Sequence, residues 1–347
     1  MGVRVAVDAM GGDFAPKVNL DGGLLALKDK ADLHLLFVGQ KNLISAQMPA
    51  AATAFKDRWE IVDAAEVISM DDHGASVIRK KKDSSIHVGL RLMKDGKADA
   101  FISAGNSGAM MAGAVLVLGR IAEVERPAIL IKLPTANGYI SILDAGANVD
   151  CKASHLAQFA EMGFLYAREV EKLENPRIGL LSNGSENHKG NDLTREADRL
   201  IREAGKVPYV GYVEGNDLFT AKVDVVVCDG FVGNVILKVS EGLADTAFHW
   251  FRTELTKDMM GLMGVFLMRK VLRNFRTKFD YQPYGAAPLL GVNGIAMISH
   301  GRSTEIAIRN GILRSYQAAT DRLVEKMTHA LAQVSATKTP PAQGTLS

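Results

Sequence analysis

VDVVVCDGFVGNVILKVSEG, Val223–Gly242, decides the fold. VDVVV is β-branched and too short for a helix, so it reads as a buried strand. CDG follows as a small polar loop, and DGFVGN places Asn234 just before an apolar helix. The same unit recurs in RVAVDAMGGD (from Arg4), ADAFISAGNSGAMMAGAVLVLG (from Ala98), YISILDAGANVDCKASHLAQFAEMGFLYAREV (from Tyr139) and RIGLLSNGSENHKGNDLTREADRLIREAG (from Arg177). LHLLFVGQ, ending at Gln40, and EIVDAAEVI, around Val62, fit it too. The helical segments space apolar residues by three and four, as in Leu156, Phe159, Gly163 and Tyr166. Strand–helix alternation predicts a three-layer α/β/α fold with a mainly parallel sheet.

Residues 1–335 show no linker and read as one catalytic α/β domain. The rhythm breaks at about 250–287, a helical amphipathic excursion. The tail 336–347, ATKTPPAQGTLS, is small, polar and proline-bearing, and is expected to be disordered. Net charge is +2, so nothing global points to nucleic acid. The two cysteines, Cys151 and Cys228, form no metal or disulfide framework and read as reduced thiols. MGVRVAVDAM enters a strand pattern at once, so no signal peptide is expected. No apolar run reaches the ~18–20 residues of a spanning helix, which predicts a cytoplasmic protein.

In an open parallel sheet, ligands bind beyond the carboxyl ends of the strands. The five polar loops are therefore expected on one edge. DAMGGD supplies Asp8, Gly11, Gly12 and Asp13, and AGNSGA supplies Gly105, Asn106 and Ser107. Glycines and helix N-termini suit an anion, although Asn, Ser and Asp are also ordinary caps. NGSENHKGND adds Glu186, His188 and Lys189, and DGFVGN adds Asp229. No loop matches a P-loop or a dinucleotide fingerprint. His73, His87, His155, His188, His249 and His300 lack i,i+4 partners, so no metal site is expected. No G-x-S-x-G elbow is present. Cys228 at a strand end is either a nucleophile or a small core residue.

Taken together, DAMGGDFAP, SAGNSGA, DAGAN, ENHKGND, DGFVGNVILKVSEG and YGAAPLLGVNG resemble the bacterial phosphate acyltransferases, the acyl-ACP:phosphate transacylases of phospholipid synthesis. The likeness runs from near the N-terminus to about residue 320. It implies a reaction in which acyl-ACP and inorganic phosphate give acyl phosphate and free ACP. It implies a fold similar to phosphotransacetylases and to isocitrate and isopropylmalate dehydrogenases, a homodimer, and no cofactor. It also implies that the product goes to a membrane glycerol-3-phosphate acyltransferase. By motif match the catalytic residues are Lys189 and Asn234, with His188 beside them. Asp8, Gly11, Gly12, Asp13, Gly105, Asn106, Ser107, Glu186 and Asp229 are the matching substrate-binding positions.

Such chemistry needs no protein nucleophile. Phosphate attacks the thioester carbonyl directly, and the leaving thiol has a pKa of roughly 8.5. The protein must supply position and charge. Lys189 and the Gly105–Ser107 backbone are expected to hold phosphate, and Asn234 to meet the oxyanion or orient phosphate. Asp8 and Asp13 are expected to orient Lys189 or cap loops. A decarboxylating NAD-linked dehydrogenase would need an arginine cluster that is not evident. A non-catalytic membrane scaffold would leave five polar loops unexplained.

One stretch stands apart: GLMGVFLMRKVLRNFR, Gly261–Arg276. On a helix, Met268, Val271, Leu272, Phe275 and Phe279 share a face, with Arg269, Lys270, Arg273 and Arg276 flanking it. That is the layout of an interfacial helix; a dimer-packing helix with a basic outer side is the alternative. With Leu262, Val265, Phe266 and Leu267, it predicts peripheral contact with the inner face of the cell membrane.

Overall fold

The computed structural model describes residues 2–72, 74–186, 188–257, 259–279 and 284–336. The strands are β1 (Val3–Asp8), β2 (Leu33–Gly39), β3 (Trp59–Asp63), β4 (Ala100–Ser103), β5 (Ala128–Thr135) and β6 (Gly138–Leu143). They continue with β7 (Ile178–Leu181), β8 (Tyr209–Val213), β9 (Val225–Val227), β10 (Ala286–Leu290) and β11 (Ile295–Ser299). The helices are α1 (Lys17–Asp29), α2 (Lys41–Gln47), α3 (Gly74–Lys80), α4 (Ser85–Lys94), α5 (Ser107–Gly113) and α6 (Ala153–Glu169). After them come α7 (Asp192–Ala204), α8 (Gly230–Leu255), α9 (Met259–Phe279), α10 (Glu305–Thr320) and α11 (Leu323–Ala336).

One sheet runs in the order β3-β2-β1-β4-β11-β10-β5-β6-β9-β7-β8. Side chains alternate across it, as period two requires. Val5, Val7, Leu35, Phe37, Ile102, Val225 and Val227 pack with α1, α6, α7, α10 and α11. Ala6, Leu36, Val38, Phe101, Ala296 and Ile298 face α3, α4 and α5. Val226 and Ile142 meet Val232, Ile236 and Leu237 of α8. The three layers expected from sequence are present.

The strand directions differ from that expectation. β3, β2, β1, β4 and β11 are mutually parallel, and so are β6, β9, β7 and β8. Between them, β11–β10, β10–β5 and β5–β6 are antiparallel. Three successive reversals leave the two parallel halves pointing in opposite directions. The loops after β1 and β4 therefore leave one edge of the sheet, and those after β6, β7 and β9 leave the other. The single shared edge is corrected.

The seam between the halves is incomplete. β10 and β5 pair only through Leu289↔Ile129 and Leu290↔Ala128. Ala286 and Ala287 bond toward β11 instead, and β5 continues to Thr135 paired with β6. Beyond Leu289 the two strands part.

The helical excursion also begins earlier than 250. α8 runs unbroken from Gly230 to Leu255, and α9 follows from Met259. Phe231, Val235, Val239 and Leu243 recur every four residues on α8 and are exposed. Ala336 closes α11; the rest of the tail lies outside the described residues.

Candidate active site

A cavity of about 590 Å³ fills the gap where β5 and β10 part. Ile129–Lys132 line it from β5, and Ala286 and Ala287 from β10. Gly105, Ser107 and Asp13 reach it from one half of the sheet. Gly146 and Asn234 reach it from the other. Opposed halves thus deliver to one cavity what a common edge was expected to provide.

The Gly105 loop is fixed from behind by a buried network. Ser103 Oγ donates to Asp8 Oδ2 at 2.6 Å and accepts from Gly105 N at 3.0 Å. Met10 N donates to Asp8 Oδ1 at 3.0 Å. Asn19 Nδ2 donates to the carbonyls of Asp8, Ala9 and Gly11. A Cβ at Gly11 would stand 2.6 Å from both Asp8 Oδ2 and Gly105 N, so only glycine lets these loops touch. Burial raises the Asp8 carboxyl above its ordinary value, against the lowering pull of Ser103. Asp8 thus orders two loops, not Lys189.

Ser103→Ala removes the largest lowering contact, so the Asp8 carboxyl rises further. A raised folded-state value means the stability contribution is present at low pH and lost as pH rises. The variant is expected to cost about 1–3 kcal/mol at neutral pH. Urea unfolding at two pH values checks this: the loss should shrink as the pH is lowered toward protonation of Asp8.

Asn106 is a structural cap. Its Oδ1 accepts from Ala109 N at 2.9 Å, and its Nδ2 donates to the carbonyls of Ser69, Met70 and Asp72. Its polar atoms are thus engaged within the chain. Asp229 caps α8 by accepting from Val232 N at 2.8 Å. Asp144 does similar work in the DAGAN loop: it accepts from the backbone N–H groups of Ile129, Ala147 and Asn148. That loop sets Gly146, at φ 119°, beside the Asn234 side chain. The Asn234 amide has no hydrogen-bond partner among the described residues and is exposed to the cavity.

Lys189 stands elsewhere. A second cavity, of about 420 Å³, is lined by Asn183, Gly190, Asn191, Cys228, Asp229 and Val232. Lys189 is half-buried beside it, with its stem along Gly184 and its N–H bonded to the Glu186 carbonyl at 2.9 Å. Glu186 and His188 are exposed in the same loop. The first turns of α8 thus present Asn234 to one cavity and Asp229 and Val232 to the other. Within one chain the lysine and the asparagine do not share a cavity.

Cys228 is no nucleophile. It is 4% exposed, and burial, then the Asp229 and Asp144 charges, push its thiol well up. Burial likewise pushes Cys151 up to about 11. Thiolate is the reactive form, and these sites suppress it.

Sequence reading missed much of the main cavity's wall: Lys132, Lys238, Glu241, Tyr284, His300, Arg302 and Arg314. Lys238 pairs with Glu241 at 2.9 Å, and Lys132 with Glu171 at 2.8 Å. His300 Nδ1 accepts from Arg302 N at 3.1 Å, and burial lowers its pKa, favouring neutral imidazole. Two motifs gave a signal here: YGAAPLLGVNG begins at Tyr284, and DGFVGNVILKVSEG contains Lys238 and Glu241.

On α9, Leu262, Phe266 and Leu267 are exposed, as are Arg269 and Lys270, and Val265 is half-buried. Arg269 stacks on Phe266 at 5.0 Å. The side chains of Arg273 and Phe275 lie outside the described residues. Among the described residues no helix is long and apolar enough to cross a membrane.

Comparison with known proteins agrees with this architecture. A family model described as "Fatty acid synthesis protein" matches residues 3–326. A phosphate acyltransferase of Geobacter sulfurreducens is 47% identical over 329 residues, covering 94% of each chain. One of Trichlorobacter lovleyi is 46% identical over 331 residues, covering 95% of each. A phosphotransacetylase from Streptococcus pyogenes shares the fold at TM-score 0.62 and 16% identity, over 92% of this chain and 94% of its own. The chain therefore belongs to the phosphate acyltransferase family and is an acyltransferase.

Proposed function

We propose that the chain transfers an acyl group from acyl-ACP to inorganic phosphate and supplies acyl phosphate for phospholipid synthesis. One observation carries this reading. The main cavity is lined both by small polar residues and by apolar ones. Gly105, Ser107, Gly146 and Asn234 are among the first; Ile129, Leu130, Ile131, Leu237 and Ile298 are among the second. A substrate with a reacting carbonyl and a long acyl tail combines the same two characters.

In this mechanism a phosphate oxygen attacks the thioester carbonyl, and the C–S bond breaks as the tetrahedral intermediate collapses. The thiolate leaves and takes a proton from solvent. Asn234 donates to the oxyanion or orients phosphate, and the Gly105–Ser107 loop seats phosphate. Lys189 supplies positive charge from beside the second cavity, across the first turns of α8. Asp13 lines the main cavity.

The α8–α9 segment serves assembly. Its exposed α8 stripe suits a second copy of the chain, giving a homodimer. Its α9 tip, rich in exposed Met, Leu and Phe beside Arg269 and Lys270, suits a lipid surface. The product would pass there to a membrane glycerol-3-phosphate acyltransferase. Hydroxylamine trapping of acyl phosphate tests the reaction. Product from acyl-CoA but none from acyl-ACP would reject the carrier-protein donor.

A further inference from the structure

The main cavity's wall carries cations that the proposed chemistry does not use: Lys132, Lys238, Arg302 and Arg314. Arg314 of α10 is half-buried and lines the cavity. Its guanidinium carbon lies 4.9 Å from the centroid of the Tyr284 ring. Tyr139 braces that ring edge-on, with centroids 4.7 Å apart. Lys132 Nζ approaches the same ring at 5.8 Å, but its charge is met by Glu171. Lys238 is met by Glu241. Arg314 has neither a hydrogen bond nor a carboxylate partner among the described residues.

Stacking uses the face of a guanidinium and leaves its in-plane N–H groups free. Those groups form a planar fork that matches two oxygens of a phosphate group. A half-buried guanidinium set over an aromatic ring, with no internal partner among the described residues, is a site for an external oxyanion. Inorganic phosphate is already assigned to the Gly105–Ser107 loop. The acyl donor brings a second phosphate: the phosphodiester joining the pantetheine arm to its carrier protein.

We infer that Arg314, set over the Tyr284 ring, binds the phosphodiester of the donor's phosphopantetheine arm and so selects thioesters that carry one. The inference rests on the proposed acyl transfer and adds a binding contact outside the reacting atoms.

Initial rates with three donors at saturating phosphate test it. The donors are acyl-ACP, acyl-phosphopantetheine and the acyl thioester of N-acetylcysteamine, which has no phosphate. Arg314→Ala should raise KM for the two phosphate-bearing donors roughly ten- to hundredfold, the loss of a charge-assisted contact. The rise should be confined to those donors, with kcat and the KM for inorganic phosphate little moved. Arg314→Gln, which keeps most of the stem, should behave alike and covers the case of an Ala variant that folds poorly. An equal rise for the N-acetylcysteamine thioester would overturn the inference. A rise in the KM for inorganic phosphate instead would assign Arg314 to the other substrate and also overturn it. A wild-type protein that makes no acyl phosphate from any donor would overturn the underlying reaction as well.

Discussion

Asn234→Ala should slow acyl phosphate formation roughly a hundredfold or more, the usual cost of losing one oxyanion-directed donor. The fold should survive, because the Asn234 amide holds nothing in place. It makes no hydrogen bond among the described residues and sits in the open second turn of α8. Lys189→Ala should cost as much. That side chain has no ion pair among the described residues, so its loss removes charge without leaving a buried partner. The two positions differ in one respect: Asn234 faces the β5–β10 cavity, and Lys189 borders the cavity across α8. The double variant is therefore informative. If both residues serve one chemical step, its rate should fall little below the single variants. Fully multiplied losses would assign them to separate events, and near-normal turnover of either single variant would reject its catalytic role.

Phe266→Glu combined with Leu267→Glu should abolish binding to vesicles of phosphatidylglycerol and phosphatidylcholine. Both side chains are exposed, at 64% and 75%. Inserting each into lipid would contribute about 1.5–3 kcal/mol, and Arg269 and Lys270 about 1 kcal/mol each near an anionic surface. Two carboxylates remove the first contribution and oppose the second. Turnover of soluble acyl-ACP should persist, because among the described residues α9 supplies none to the main cavity. Unchanged vesicle binding, with a shift in sedimentation from dimer to monomer, would make α9 a packing surface between copies.

The strand–helix units announced most of this architecture. VDVVV and YISIL are β-branched, bounded by polar loops and followed by helical spacing, so local pattern and tertiary role agree. The centre of the sheet was harder to read. β10 carries Pro288 and β5 carries Pro134, and proline argues against a central strand. Pro288 is tolerated where β10 turns away from β5, at the margin of the cavity. The reversals that split the sheet run through β5 and β10, each of which is followed directly by another strand and so begins no strand–loop–helix unit. The single loop edge was therefore the natural expectation and the wrong one. Asp13, Gly105, Ser107 and Asn234 were legible because small polar residues at strand ends have few other uses. Arg314 and Lys132 were not, and Tyr284 only as the start of a motif: they lie on a helix, a strand and a loop far apart in sequence, and only the fold assembles them. Asn106 and Asp229 matched the site motifs, yet their side chains serve as caps.

The phosphate dependence of thiol release tests the central claim most directly. The claim is that phosphate itself attacks the thioester, with no acyl-enzyme before it. Purified protein with acyl-ACP and a thiol reagent should release no thiol above background until phosphate is added. Thiol and hydroxylamine-trapped acyl phosphate should then appear one for one. A burst of thiol without phosphate, stoichiometric with the protein, would reveal a covalent acyl-enzyme and contradict the account.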